Sequence, residues 1–351
     1  MADEKRAKRW KMIVTLVTFA ALGVLIYAVR DQIADTIENF RQVNSLVLLL
    51  MIPAQMFNYD AYVRMYRHLF GILGKKIEYW RMMKINFELN FVNNVFPSGG
   101  VSGFSYFGLR MKSEGISTGQ STLVQLMRFI CIFISFQVLL AFGLLVLAIG
   151  GQASNLVILI AGSLATLLFV GSAAMAFIIG SKKRINGFFT YLTRFINRLI
   201  YLVRPKHPET ISIERVEKMF TELHENYMII RKNPGMLRMP LINALVANIA
   251  EIATIYVVYV AFGQLVNPGA VIIAYAIANF AGLVSVLPGG VGIYEALMTA
   301  VLASAGIPPG VSIPVTIMYR ILNMTLQLPP GYYFYHKAVH TGLAVKPTKV
   351  S

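Results

Sequence analysis

The chain has 351 residues, of which 56% are hydrophobic and 14% are charged, and its mean hydropathy is +0.62. Soluble domains average about 25% charged residues, and several apolar stretches here reach the roughly 20 residues needed to cross a bilayer. The composition therefore excludes an ordinary soluble domain and predicts an all-α polytopic membrane protein. The single cysteine, Cys131, and the five scattered histidines form no metal-binding or disulfide pattern, so neither a metal nor another cofactor is expected.

The first apolar segment runs from about 12 to 29 and follows a run of Lys and Arg in residues 1–11. No small-residue cleavage site follows it, so an uncleaved first helix with its N-terminus inside is expected. A polar, partly acidic loop is predicted at 30–44. The second span is predicted at 45–66, with a break at Pro53.

Residues 80–112 are too polar for a helix that faces lipid, and Pro97, Gly99 and Gly100 break them in the centre. Both ends of this segment are basic, which indicates a re-entrant hairpin that enters from the cytoplasm and returns. Broken backbone at membrane depth requires surrounding protein or a water-filled cavity. Spans are predicted next at 119–149, which contains Arg128, and at 155–179.

Residues 183–236 form a substantial polar insertion. Apolar residues recur at helical spacing in 185–203 and again in 216–227, which predicts two amphipathic helices on the cytoplasmic side. A span at 239–262 follows. A second broken segment is predicted at 270–305. A last span that contains Arg320 is predicted at 311–335, followed by a tail at 342–351.

The two broken segments share a repeated pattern. Pro97 and Pro288 are 191 residues apart, each precedes a Gly-Gly pair, and a Gly-Ile pair and an arginine follow at matching distances. A pattern that recurs in register indicates an internal repeat. The repeats are predicted at about 12–149 and about 155–335, within a single membrane domain at 1–341.

The distribution of basic residues predicts the orientation. The 32 Lys and Arg residues all fall in predicted cytoplasmic segments except Arg30, Arg41, Arg128 and Arg320. Under the positive-inside rule both termini are cytoplasmic, and the +16 charge faces the inner surface of the plasma (inner) membrane rather than a nucleic acid. The hairpins then enter from opposite faces. The prediction is about six full spans plus two re-entrant hairpins in an inverted-repeat arrangement, as in transporters.

The two intramembrane arginines predict an anion site. A charged side chain at this depth costs at least about 2.5–3.5 kcal/mol, and the guanidinium fork suits phosphate. A helix that begins after a hairpin tip also presents unpaired N–H groups to an anion. The predicted substrate-binding residues are Arg128, Arg320, Gly99, Gly100, Gly289, Gly290, Glu295 and Asn323, with Pro97 and Pro288 at the hairpin tips.

A structural alternative stays open. Each arginine could instead pair with a buried carboxylate, for which Glu88, Glu251, Glu295 and Asp60 are available. Glu295 could equally act as a helix-end carboxylate near the N-terminus of its hairpin arm.

The second motif, Leu287 to Gly292 with Glu295, Gly306-Ile307 and Tyr319-Arg320, resembles the lysylphosphatidylglycerol synthase transmembrane, or flippase-like, domain family. The first-half counterpart is Pro97 to Gly103, Gly115-Ile116 and Arg128. The chain departs from this family at Met127, where many members have a glutamate before the arginine, and at Ser98-Gly99, where many have Gly-Arg. The resemblance implies movement of anionic or lipid-linked molecules between leaflets, without lysyl-lipid synthesis, since no aminoacyl-transferase domain accompanies the motif.

The sequence thus predicts a flippase-like integral membrane protein, not an enzyme, whose partners are the membrane and an anionic phospholipid or lipid-linked phosphate. Whether it forms a homo-oligomer is left open. One alternative is a membrane-embedded transferase acting on a polyprenyl-phosphate-linked sugar, with Glu295 and Glu88 as candidate bases. Another is a membrane assembly or regulatory protein that uses residues 183–236 as a docking surface.

Overall fold

The described residues of the computed structural model are 2–40, 43–96, 101–151, 154–187, 190–191, 213–285 and 287–341, and within them the regular secondary structure is helical. In chain order the principal α-helices are α1 Ala2–Phe40, α2 Ser45–Leu48, α3 Met51–Ile72, α4 Tyr79–Val95, α5 Val101–Ser113, α6 Thr118–Ile149, α7 Asn155–Ile179, α8 Ile213–Lys232, α9 Arg238–Ala261, α10 Pro268–Val284, α11 Ile293–Ser304 and α12 Pro309–Thr341. Short 3-10 turns occupy Pro234–Leu237 and Pro288–Gly290.

Four helical segments in the described part of the chain are long and apolar enough to cross a membrane: Ser45–Ile72, Thr118–Ile149, Asn155–Ile179 and Pro234–Ala261. Helices α10 and α11 are shorter and apolar. Helices α1 and α12 are longer still, at 39 and 33 residues, but both carry more polar residues. The chain is an all-α polytopic membrane protein, as its composition predicts.

The region between the first two predicted spans differs from the prediction. The predicted loop at 30–44 is wrong, because α1 continues as helix to Phe40. The sequence contains no glycine or proline between Gly23 and Pro53, so nothing forces the helix to end at its first charged residues. The predicted break at Pro53 falls instead just before α3, which places this proline in the first turn, where it is tolerated.

The two halves of the chain repeat the same series of helices. Helices α3 to α6 contain 22, 17, 13 and 32 residues, and α9 to α12 contain 24, 17, 12 and 33. The packing repeats as well: α4 packs on α12 as α10 packs on α6, and α3 packs on α6 as α9 packs on α12. Replacing each helix by its counterpart in the other half therefore converts one packed pair into the other.

The direction of the helices agrees with inversion. The counterpart helices α3 and α9 pack together extensively. The Asn44 N–H donates to the Ala261 carbonyl at 2.9 Å, whereas the Asn58 side chain donates to the Ala247 carbonyl at 2.9 Å. Residue numbers therefore rise along one helix as they fall along the other. Antiparallel counterparts are what an inverted repeat requires; the predicted sidedness in the membrane stays a prediction.

The insertion packs on the membrane helices. Helix α8 contacts α6 and α7 and buries Phe220, Leu223 and Ile230. Its His224 Nδ1 lies 2.7 Å from the carbonyl of Ile179 at the end of α7. The second predicted amphipathic helix is therefore present, with its apolar face covered by the protein itself. The first predicted amphipathic helix, at 185–203, lies mostly outside the described residues, although residues 182–187 are helical. The tail at 342–351 lies wholly outside them.

Candidate functional site

The tip of the second hairpin needs its glycines. Gly289, Gly290 and Gly292 have φ values of 58°, 68° and 85°, in the left-handed region that side chains other than glycine rarely adopt. A Cβ on Gly290 would also lie 3.2 Å from the Cα of Gly282 on α10. Close contact between the tip and α10 thus fixes where α11 starts.

The start of α11 is already capped. The Gly292 N–H donates to Glu295 Oε2 at 2.7 Å, and the Gly290 N–H donates to the Leu287 carbonyl at 3.0 Å. The sequence predicts that N–H groups at this tip bind a substrate anion, but these two N–H groups already donate to acceptors within the protein. Gly289 contributes its carbonyl, which accepts a hydrogen bond from Arg320, rather than an N–H group. The first-hairpin residues Pro97, Gly99 and Gly100 lie outside the described residues.

Arg320 holds this tip against α12. Its Nη1 donates to Glu295 Oε1 at 2.5 Å, and its Nη2 donates to the Gly289 carbonyl. The guanidinium carbon lies 4.9 Å from the centre of the Tyr294 ring, and the residue is 6% exposed. Glu295 thus serves both as a helix cap and as the ion-pair partner of Arg320, which are the two structural roles that the sequence left open.

Arg128 lies in a different environment. Its guanidinium carbon is 5.4 Å from the ring centre of Tyr62, 5.7 Å from that of Tyr66 and 5.3 Å from that of Phe129. Within the described part of the chain it makes no ion pair, and its buried Nε has no hydrogen-bond partner. The position that matches Glu295 at the 191-residue offset is Phe104. The first half therefore lacks the carboxylate that neutralises Arg320 in the second.

The carboxylates considered as partners for Arg128 are engaged elsewhere. Glu88 accepts from Arg110 Nε at 3.0 Å and from the Tyr106 hydroxyl at 2.8 Å. Asp60 accepts from Arg64 Nε and from the Tyr79 hydroxyl, both at 2.7 Å. Since each of these carboxylates already has a cation, neither is left to balance Arg128.

Glu251, on α9, has neutral partners. The Asn323 side chain donates to its Oε1 at 2.9 Å, the Tyr319 hydroxyl donates to the same oxygen, and Gln55 Nε2 donates to its Oε2 at 3.1 Å. Asn323, predicted to bind substrate, thus contacts this carboxylate and also accepts from Gln327 Nε2 at 2.6 Å. Glu251 is 8% exposed, and no basic residue in the described ranges forms an ion pair with it.

Both arginines line one cavity of about 250 Å³. Its wall is mainly amides and phenols from both halves: Asn58, Asn86, Asn90, Asn93, Asn94, Asn279, Asn323 and Gln327, with Tyr62, Tyr275, Tyr294 and Tyr319. Glu251 is the acidic residue in this wall. Sites for drug-sized ligands span about 300–1,000 Å³, so this cavity suits a lipid headgroup better than a whole lipid.

Three asparagines on α4 form a face that points at Arg128. Asn86, Asn90 and Asn93 follow the i, i+4, i+7 spacing of one helix face, and all three line both the main cavity and a second one of about 110 Å³ that also contains Arg128. Asn86 is 4% exposed, and its Nδ2 has no partner among the described residues. We call these three residues the asparagine face.

The sequence-based prediction did not single out the asparagine face. The sequence shows these amides as unusually polar for a membrane helix, and their helical spacing is the signal that could have placed them on one face. Their counterparts at the 191-residue offset are Ile277, Ala281 and Val284, none of which can donate a side-chain hydrogen bond. In the described residues, the first half therefore combines an arginine that has no carboxylate partner with a row of amides, and the second half does not.

These features define the class: a polytopic all-α membrane protein whose two similar halves enclose a polar cavity with arginine in its wall. Comparison identifies the family. The chain belongs to the family described as lysylphosphatidylglycerol synthase TM region, whose profile matches residues 12–331. The resemblance inferred from the motifs is thereby confirmed.

Individual relatives match over shorter lengths. The chain is 28% identical over 130 residues to a UPF0104 membrane protein of Methanothermobacter thermautotrophicus, covering 35% of this chain and 39% of that protein. A second protein of the same description and organism is 28% identical over 116 residues, covering 31% of this chain and 34% of the relative. These alignments thus span between one third and two fifths of each relative.

Proposed function

We propose that the protein carries an anionic phospholipid or a lipid-linked phosphate between the two leaflets, and that the headgroup phosphate binds Arg128. The observation that carries this proposal is that Arg128 lines a polar cavity and makes no ion pair with any carboxylate of the described residues. Burying a charged group unpaired is costly. An anion bound directly to the Arg128 guanidinium would supply the ion-pair partner that it lacks.

The surrounding residues support a phosphate ligand. Arginine presents two parallel N–H donors that match a phosphate, and the three aromatic rings around Arg128 stabilise its cation, by about 0.5–2 kcal/mol for each good contact. The asparagine face adds donors and acceptors for the rest of the headgroup. The family name and the flippase-like resemblance point to the same class of cargo.

The carrier is not an enzyme in this proposal. The repeated halves with antiparallel counterpart helices suit alternating access, in which one half moves against the other around a central site. We also place the protein in the plasma (inner) membrane with both termini cytoplasmic, on the asymmetry of its basic residues. A cysteine introduced ahead of α1 should then react with an impermeant thiol reagent only after the cells are opened.

The test is lipid binding and translocation by Arg128→Gln in proteoliposomes that contain labelled phosphatidylglycerol. Hydrogen bonds to charged groups contribute about 1.5–3 kcal/mol, so binding should weaken about 10–100-fold, and translocation should fall with it. The matched control is Arg184→Gln. Arg184 also lies over an aromatic ring, 3.9 Å from the centre of Phe177, but outside the cavity. Wild-type translocation and lipid retention in Arg128→Gln would refute the proposal.

A further inference from the structure

We propose that Glu251 is a proton-binding site linked to Arg128, so that the protein takes up a proton when the lipid phosphate binds and carries the two together. This inference rests on the proposed function, because it assumes that an anion binds Arg128. It adds a coupled ion and a residue that holds it.

The first step is the location of Glu251. It lies near the middle of α9, a helix long and apolar enough to cross the membrane. It is 8% exposed and lines the same cavity as the two arginines. A carboxylate at this depth without a cation is expensive, and ionisable residues in such places commonly serve as ion or proton sites.

The second step is the charge of the cavity. Glu295 neutralises Arg320, so the wall within the described residues retains the positive charge of Arg128 and the negative charge of Glu251. The charges of the cavity wall alone then sum to zero when Glu251 is ionised. A phosphate diester brings one negative charge, and uncompensated charge in a medium of low dielectric is strongly unfavourable. One proton bound by the Glu251 carboxylate restores neutrality.

The third step is a partner for the added proton. When Glu251 is ionised, Gln55 Nε2 donates to Glu251 Oε2 and to Thr254 Oγ1, each at 3.1 Å. The amide oxygen of the same Gln55 is buried, with no partner in the part of the chain that the structure describes. Rotation of the amide by a half-turn exchanges these two atoms, and Gln55 can then accept a hydrogen bond from a protonated Glu251. The contact therefore accommodates both states of the carboxyl group.

The fourth step is the connection to movement. Gln55 belongs to α3, in the first half of the chain, whereas Glu251 and its other two partners belong to α9 and α12 in the second. The contacts of Glu251 therefore cross the boundary between the halves. Protonation changes the hydrogen bonds at the helix pair that alternating access would have to rearrange.

Other ionisable groups surround Glu251. The phenols that interact with its charge come from α3, α10, α11 and α12, and are Tyr59, Tyr62, Tyr275, Tyr294 and Tyr319. Phenols ordinarily release their proton only near pH 10 or so. The charged groups of the same region are Arg128, Arg320 and Glu295, of which the last two neutralise each other. Glu251 is therefore the group placed to gain a proton when the anion arrives.

Linkage fixes the sign of the effect. If a bound phosphate raises the affinity of Glu251 for a proton, then a bound proton raises the affinity for phosphate by the same factor. Over the pH range in which Glu251 titrates, lipid binding should weaken by up to about tenfold for each unit of rising pH, the limit for one linked proton.

The experiment is calorimetric titration of the purified full chain with a water-soluble short-chain phosphatidylglycerol. The titration is repeated in two buffers with different ionisation enthalpies, which gives the number of protons taken up. Wild type should take up close to one proton per lipid. Glu251→Gln should bind the lipid without proton uptake and without the pH dependence, whereas Arg128→Gln should bind weakly.

The matched control is Asp60→Asn. Asp60 is the counterpart of Glu251 at the 191-residue offset, but it pairs with Arg64 outside the cavity wall, so proton uptake should persist in this variant. Infrared spectroscopy of wild type supplies a measurement that needs no variant: lipid binding should produce the carbonyl band of a protonated carboxyl group.

The outcomes separate the two proposals. Wild type that binds the lipid without proton uptake, or Glu251→Gln that takes up as many protons as wild type, overturns the linkage alone. If neither wild type nor Arg128→Gln binds the lipid, the proposed function fails and the linkage fails with it.

Discussion

The two halves of the molecule use the same helices for different purposes. In the second half, Arg320 pairs with Glu295 and holds the Gly289 carbonyl, so its charge is used to fix the hairpin tip. In the first half, Arg128 has aromatic rings around it and Phe104 at the position of the missing carboxylate. One difference of residue type at a repeat position thus separates an arginine that is ion-paired from one that has no carboxylate partner in the described structure.

The asparagine face follows the same division. Asn86, Asn90 and Asn93 lie beside Arg128, whereas apolar residues occupy the matching positions of α10. A duplicated scaffold therefore does not imply a duplicated site. Among the described residues, the second half pairs its arginine within the protein, whereas the first half leaves Arg128 at the cavity wall without a carboxylate partner.

The largest effect is expected at Arg320. In Arg320→Gln the carboxylate of Glu295, whose side chain is only 12% exposed, loses its cation. Breaking one side of a buried ion pair costs about 3–5 kcal/mol, and this nearly buried pair should approach that range. Thermal unfolding in detergent measures it. The double variant Arg320→Gln with Glu295→Gln removes both charges and should recover part of the loss. If Arg320→Gln is as stable as wild type, the structural role assigned to this pair is wrong.

A new carboxylate in the first half should convert it to the arrangement of the second. In Phe104→Glu, the introduced side chain lies at the position that matches Glu295, on the wall of the smaller cavity with Arg128. It should pair with that arginine and compete with phosphate, which weakens lipid binding by about 10–100-fold, given about 1.5–3 kcal/mol for charged hydrogen bonds.

Binding of short-chain phosphatidylglycerol measures the effect of this change, and Phe104→Gln is its control, because glutamine has a similar shape without the charge. Equal lipid affinity in the two variants would show that Arg128 does not hold the phosphate.

The smallest effect is expected on the asparagine face. Alanine at Asn86 or Asn90 removes neutral hydrogen bonds to the headgroup, each with a net contribution of about 0.5–1.5 kcal/mol, so lipid affinity should fall about 2–10-fold. Asn243→Ala is the control, since its amide donates only to the Met239 carbonyl on an exposed face. Unchanged affinity in both face variants would restrict recognition to the phosphate.

Much of the fold could be predicted because the signals are local. Helix α7 has the predicted limits, and α6 begins one residue from its predicted start. The predicted loop at 30–44 is wrong because charged residues such as Arg30 and Asp31 do not by themselves end a helix. Charge determines where a segment leaves the apolar part of a membrane, but the absence of glycine and proline lets the helix continue into water.

The candidate site was predictable only in part. The arginines, the glycines at 289 and 290, Glu295 and Asn323 were recognised from residue type and from the repeat. Their partners were not, because a pair such as Arg320 and Glu295 or Gln55 and Glu251 joins residues that are distant along the chain. Several carboxylates were equally available to each arginine on the sequence alone.

The sequence by itself determined that the chain is a helical membrane protein of two similar halves, each with an arginine in an apolar segment. Composition, hydropathy and residue spacing can be read from the sequence without knowledge of the tertiary structure. The tertiary structure decided which arginine is neutralised, which amides face the other, and that Glu251 has only neutral hydrogen-bond partners in the described structure. Those outcomes depend on distances across packed helices, since both hydrogen bonds and the electrostatics of a low-dielectric interior act over a few ångströms.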